Sequence, residues 1–135
     1  MLKILTKLWW VVQRAYASFD YISNRSLCHF GYSLGDSFKL DYTEESVLKC
    51  FDSTTEKLDV FTGTAEIRGF FDGLFKQLSD LSTLAAPVVD ATEGPMKQVY
   101  LIWSCPGSGV KFAHDSFYYN DKFQIIRQNI GYSSC

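Results

Sequence analysis

Hydrophobic spacing changes character three times along the chain. Leu5, Trp9, Val12, Tyr16 and Phe19 recur at steps of four, three, four and three, which is the stripe of an amphipathic helix. The helical reading runs from Leu5 to about Leu34, with Ser23-Asn24-Arg25-Ser26 as a point of interruption. Gly35 can end a helix in the left-handed conformation, and Asp36 or Ser37 can cap a short second one. Residues 46–52 then alternate as a strand does, and a turn leads into a short strand over 57–61. Next, Ile67, Phe70, Phe71, Leu74 and Leu78 fall on one helical face. That helix starts at Gly63 or Thr64, has Glu66 in its first turn, and ends near Asp80. Only strand-like runs follow: "PVVDATEG", "MKQVYLIWSC", "VKFAHDSFYYN" and "FQIIRQNIGY". Pro106-Gly107-Ser108-Gly109 and Asn120-Asp121 are the turns between them.

This order predicts an α+β fold, with helices on one face of a curved antiparallel sheet. The 135 residues suit one domain, without repeats or linkers. With 47% hydrophobic and 21% charged residues the composition is globular. The 8 Tyr, 11 Phe and 3 Trp supply either a large core or a ring-lined cavity. Net charge is −2 without a basic stripe, which argues against nucleic acid as a partner. Cys28, Cys50, Cys105 and Cys135 form no C-x-x-C pair, and only two histidines are present, which argues against a zinc site. Scattered thiols suit a reducing, cytoplasmic setting. The N-terminal stretch loosely mimics a signal peptide, but Lys7 breaks its apolar run, and an amphipathic helix is the reading preferred. No stretch is apolar for the roughly 18 residues that a membrane helix needs.

Three stretches carry a family resemblance: "GDSFKLDYTEESVL", "FTGTAEIRGFF" and "YLIWSC…HDSFYYNDKFQIIRQNI". Together they span about Gly35 to Tyr132 and resemble the nuclear transport factor 2-like superfamily, in particular its SnoaL-like proteins and ketosteroid isomerases. The resemblance implies a cone-shaped barrel: a curved antiparallel sheet wrapped around N-terminal helices and one middle helix, with a pocket opening inward. Either residues 1–16 are an extension before the family's first helix, or that helix includes "VVQRAYASF" and a stretch is inserted after it.

One residue stands out within the last of these stretches. Asp115 is a carboxylate in the middle of an aromatic strand, where burial without partners costs several kcal/mol. Strand alternation puts it on one face with Ala113, Phe117 and Tyr119, and puts His114, Ser116 and Tyr118 on the other. That face is either the wet one or the wall of a pocket. In ketosteroid isomerases the matching aspartate points into the cone, stays protonated and donates to the substrate's developing oxyanion. The resemblance therefore implies that Asp115 is inward, desolvated and poised as donor or acid.

The rest of that catalytic set matches incompletely. Cys50 stands where the family has its catalytic base, with Asp52 two residues on along the same face. The family's pocket tyrosine falls near Cys28 in one alignment and near Tyr16 in the other. His29 either assists in the pocket or is a satisfied structural histidine, and Trp103 either stacks on a ligand or belongs to the core. Cys50 is either a nucleophile or an inert buried thiol. Asp41, Glu44 and Glu45 read as solvating or capping a turn. "RQNI" over 127–130 reads as a strand on a wet or interfacial face.

Two expectations of function follow. One is a cyclase, isomerase or lyase acting on a small apolar carbonyl compound through Asp115, with Tyr16, His29, Cys50, Asp52, Trp103, Phe117 and Tyr119 as pocket neighbours. The other is a non-catalytic module that binds a small hydrophobic ligand or a protein. No cofactor or metal is expected; the paired histidines of the superfamily's carbonic-anhydrase branch are missing. The other sheet face, carrying Val99 or Tyr100, Ile102, His114, Tyr118 and Ile126, is apolar enough to suggest a homodimer with a self-complementary contact.

Overall fold

The computed structural model describes residues 42–92, 97–122 and 124–135. Within them the elements run β1 (Tyr42–Asp52), β2 (Lys57–Thr62), α1 (Gly63–Gln77), β3 (Ala85–Ala91), β4 (Gln98–Cys105), a single 3-10 turn at Pro106–Ser108, β5 (Val110–Tyr119) and β6 (Ile125–Ser134). The expected helices over 5–34, the short one after Gly35 and the N-terminal extension lie outside the described residues.

The strands form one sheet in the order β2-β1-β6-β5-β4-β3. The α+β class holds, but the sheet is mixed rather than antiparallel. β6 lies beside β1 in parallel, pairing Cys50 with Ile130 and Leu48 with Gln128. Periodicity reports which face a residue takes, whereas the direction of a pairing between strands so distant in sequence depends on the path of the whole chain.

β1 begins at Tyr42, earlier than its alternation indicates, because Ser46 holds an irregular stretch in the sheet. Its hydroxyl donates to the Ile125 carbonyl at 2.6 Å and accepts from the Thr43 N–H at 2.7 Å, across a register shift between Tyr42 and Val47. Glu44 and Glu45 are therefore strand residues. Glu44 accepts from the Thr64 hydroxyl at the start of α1.

That helix begins where its sequence signals indicate. Gly63 sits at φ 81°, in the left-handed region that favours glycine, and an added Cβ would also stand 3.2 Å from the Glu44 carboxylate. Glu66 reaches back to accept the Thr62 N–H at 2.7 Å, satisfying a donor that the first turn leaves open. α1 ends at Gln77, short of Asp80, because Asp80 is engaged elsewhere. Its carbonyl accepts from Ser108 Oγ and from Cys105 Sγ at 3.2 Å, while Gly107 N–H donates to Thr83 Oγ1 at 2.7 Å. These bonds tie the helix exit to the β4–β5 turn.

Register puts Leu48 and Cys50 of β1, Gln128, Ile130 and Tyr132 of β6, Ala113, Asp115, Phe117 and Tyr119 of β5, and Val99, Leu101 and Trp103 of β4 on one face. Most of these are buried, and α1 covers part of the face with Ile67, Phe71, Leu74 and Phe75. A bulge at Ile126 lets Ile125 and Gln128 both point inward although they are three residues apart.

Candidate functional site

Asp115 lies on the buried side of its strand at 5% exposure, although it is a carboxylate. Its neighbours along the hydrogen-bonding direction are Leu101 on β4 and Ile130 on β6, so apolar groups flank it on both sides. The diagonal neighbours supply its partners. Trp103 Nε1–H donates to Oδ1 at 3.0 Å, and the Gln128 amide Nε2–H donates to Oδ2 at 3.0 Å. Gln128, 1% exposed, has its own oxygen satisfied by the Tyr42 hydroxyl, which donates to Oε1 at 2.6 Å. Four side chains from β1, β4, β5 and β6 thus form one buried polar chain across the sheet.

Burial and hydrogen bonding oppose each other here. Loss of water pushes the Asp115 carboxyl up, the two N–H donors pull it down, and burial wins, leaving its pKa at about 6. The carboxyl therefore exchanges its proton close to neutral pH, unlike an ordinary aspartate.

Beside this chain, α1 and the sheet border a cavity of about 40 Å³. Leu74 and Gln77 line it from the helix, and Cys50, Trp103, Val110, Ile130 and Tyr132 line it from the sheet. It has room for a few water molecules, far below the roughly 300 Å³ at which drug-sized ligand pockets begin. Trp103 belongs to both features: it walls the cavity and holds Asp115.

The other sequence candidates separate clearly. Cys50 faces the cavity, but burial, with the charges of Asp115, Asp59 and Asp52 added, pushes its thiol up to about 12. It is a neutral apolar wall at neutral pH, which favours the inert thiol over the nucleophile. Asp52 lies at the end of β1, where it accepts the Thr54 N–H at 2.9 Å and bonds Tyr132, and its carboxyl is held below the usual range chiefly by the Thr54 bond. It serves the β1–β2 turn and does not line the cavity. Phe117 and Tyr119 are buried on the Asp115 face and stack at 6.5 Å, also outside the cavity lining. Tyr16, His29 and Asp41 lie outside the described residues.

Gln128 and Tyr42 were not among the sequence candidates. "RQNI" read as a wet or interfacial face, yet Gln128 is among the most buried residues. The signal was available: stepping by twos back from the apolar Ile130 puts Gln128 on the same face.

No protein-family model and no curated protein sequence matches the chain. Solved structures do match it. A steroid delta-isomerase from Pseudomonas aeruginosa aligns with TM-score 0.52 at 11% identity, over 90% of this chain and 79% of that one. A phenazine biosynthesis-related protein from the same species aligns with TM-score 0.50 at 15% identity, over 73% of this chain and 68% of that one. A SnoaL-like family protein from Agrobacterium tumefaciens aligns with TM-score 0.45 at 11% identity, over 83% and 94%. The chain shares the fold of the steroid delta-isomerase.

At these identities the likeness shows a shared fold, in line with the sequence resemblance, and leaves the chemistry to the residues. Within that isomerase-like fold no described helix is long and apolar enough to cross a membrane. No described group of three or more His, Cys, Asp or Glu is placed to hold a metal ion. Cys50, Cys105 and Cys135, the described cysteines, are free thiols.

Proposed function

We propose that the chain is a single cone-shaped domain acting as a cyclase, isomerase or lyase on a small apolar carbonyl compound, with Asp115 as its acid–base group. The observation that carries this reading is the buried carboxyl with a pKa of about 6, held by Trp103, whose ring walls an apolar cavity that Asp115 itself does not line. A proton acceptor matched to neutral pH is the most effective kind, since it is deprotonated at work and still basic enough to take a proton. Removing a proton next to a carbonyl gives an enolate, which takes the proton back from the carboxyl at another carbon in an isomerase or attacks a second centre in a cyclase. Apolar walls suit an apolar substrate skeleton.

The test is exchange chemistry. Incubating the protein in heavy water with a panel of small β,γ-unsaturated ketones and diketones, and following α-deuteration by proton NMR, should show exchange above the buffer rate. Asp115→Asn, checked for folding by urea denaturation, should lose at least about 100-fold of that rate, the usual scale for a positioned base. Retained exchange in the variant would remove Asp115 from the mechanism.

A second reading, a non-catalytic module for a small ligand or a protein partner, is favoured by a different observation. Both Asp115 oxygens are already held by protein donors, and the cavity is small. Ligand-dependent shifts at Trp103 without any exchange would select it. In either reading we propose a homodimer through the outer sheet face, where Tyr100, Phe112 and Ile126 are exposed beside His114, and a cytoplasmic location, in keeping with free thiols at the described cysteines.

A further inference from the structure

The buried chain has a property that follows from donor and acceptor chemistry alone. The Trp103 indole N–H can only donate, so Asp115 Oδ1 must accept in every protonation state. A hydroxyl oxygen is a weaker acceptor than a carbonyl oxygen, so a proton on the carboxyl is favoured on Oδ2, facing Gln128. While Oδ2 is bare, the Gln128 amide must present its NH2 to it, which leaves Oε1 to accept from Tyr42. Once Oδ2 carries a proton, an NH2 opposite it would set two donors against each other in a buried site, at a cost of about 1–3 kcal/mol. Rotating the amide by half a turn removes that clash. Oε1 then accepts from Oδ2–H, and NH2 donates to the Tyr42 oxygen, which can take either role.

We propose that Gln128 is a positioning residue, an amide relay that couples the proton on Asp115 Oδ2 to the direction of the Tyr42 hydroxyl. With Oδ2 bare, the bonds run Tyr42 to Gln128 to Asp115; with Oδ2 protonated, they run Asp115 to Gln128 to Tyr42. No proton crosses the amide. The proton on Oδ2 arrives from water or from substrate, and what is transmitted is the polarity of two hydrogen bonds. Taking up a proton at Asp115 thus turns the Tyr42 O–H away from Gln128.

Among the described residues, few other charges compete for this control. The described titratable groups on the inner face of the neighbouring elements are Cys50 on β1, Tyr132 on β6, Tyr119 on β5 and Cys105 on β4. Burial pushes both Cys50 and Tyr132 up to about 12, so neither changes charge near neutral pH. Asp59 on β2 and Asp52 at the end of β1 sit beyond Cys50, at the far edge of the sheet. The charged residues of α1, such as Glu66, Arg68, Asp72 and Lys76, are exposed.

The relay rests on the Asp115 site of the proposed function but not on turnover, and its test reads the protein without substrate. The intact chain, labelled at Tyr Cζ, Gln Nε2 and Asp Cγ, is titrated by NMR over about pH 4 to 8, spanning the carboxyl range. Asp115 Cγ, Gln128 Nε2 and Tyr42 Cζ should shift with one common midpoint. Asp115→Asn mimics the protonated state, because its Nδ2 must donate where Oδ2–H would. Its Tyr42 Cζ should sit on the acid plateau of the unmodified protein at every pH. Gln128→Leu should leave Asp115 titrating while Tyr42 Cζ loses the shift; a merely structural glutamine would leave Tyr42 flat in every form. A Tyr42 resonance that stays flat through the titration of Asp115 in the unmodified protein overturns the relay even if Gln128→Leu fails to fold. That outcome would leave the acid–base reading standing, whereas absent ketone exchange would sink that reading and leave the relay untouched.

Discussion

Asp115 and Asp52 both accept hydrogen bonds and point to the same side of one sheet, yet their carboxyls move in opposite directions. Asp52 accepts a backbone N–H at 2.9 Å at the rim of the β1–β2 turn and is held below the usual range. Asp115 accepts two N–H bonds at 3.0 Å and is pushed up to about 6. Partners therefore do not decide the sign. Water does: at Asp52 solvent remains beside the charge, while at Asp115 the strands on either side replace it with Leu101 and Ile130. The chemistry proposed for this chain belongs to the region where hydrogen bonding loses to burial.

The largest test of that contrast is the pH dependence of stability. A folded-state pKa of about 6 against 3.8 means that the folded chain holds this proton more tightly than the unfolded one. The associated stability is fully present below pH 3.8 and is lost as pH rises through about 6. Two pKa units correspond to about 3 kcal/mol. Other carboxylates, Asp52, Asp80 and Asp121, are shifted down and act in the opposite sense, so the difference between proteins is the useful quantity. The unfolding free energy of the unmodified protein minus that of Asp115→Asn should fall by about 3 kcal/mol from acid to about pH 8 in urea titrations. A difference independent of pH would mean that Asp115 is solvated like Asp52.

Removing a partner is the next test. Gln128→Leu keeps the volume close and strips a donor from the anion, so it should cost about 2 kcal/mol at pH 8. The cost should shrink at pH 5, where the variant's Asp115, its pKa raised further, is protonated. A cost equal at both values would mean that packing, not charge, is what Gln128 provides.

How far this contrast could be read beforehand depends on the distance over which its causes act. Alternation along β5 is local, so the face that Asp115 shares with Ala113, Phe117 and Tyr119 was readable from residue spacing, while its burial was implied only by the family resemblance. The helix beginning at Gly63 was readable for the same reason, since its start signals and apolar face lie within one turn or two. Gln128 was misread because a buried amide looks no different from an exposed one until its partners are known. One partner is 13 residues away on β5 and the other 86 residues away at the start of β1. The parallel pairing of β1 with β6 was hidden likewise, and it is this pairing that brings Tyr42 to Gln128.

The outer face of the same sheet offers a contrast on a smaller scale. Gly131 pairs with His114, and a Cβ at Gly131 would stand 2.5 Å from His114 Nε2. Gly131→Ala must displace the imidazole, and because His114 is only half-buried, the ring can swing outward. A cost of about 1 kcal/mol, the low end for overpacking, should appear in urea titrations and vanish when His114→Ala is added. A larger cost that persists in the double variant would show this face packed as rigidly as the inner one.

The smallest effect is expected at Asp52 itself, and its sign matters more than its size. A lowered carboxyl contributes stability that is present above pH 3.8 and is lost as pH falls through the folded value. Asp52→Asn keeps an oxygen for the Thr54 N–H, so the turn should survive and neutral-pH stability should barely move. What should change is the acid limb: the unmodified protein loses stability there, and the variant should lose less. Asp52→Asn and Asp115→Asn thus tilt the same curve in opposite directions, at its acid end and around about pH 6 respectively. If both tilted it the same way, burial would no longer explain why these two aspartates differ, and the case for Asp115 as the acid–base group would lose its physical basis.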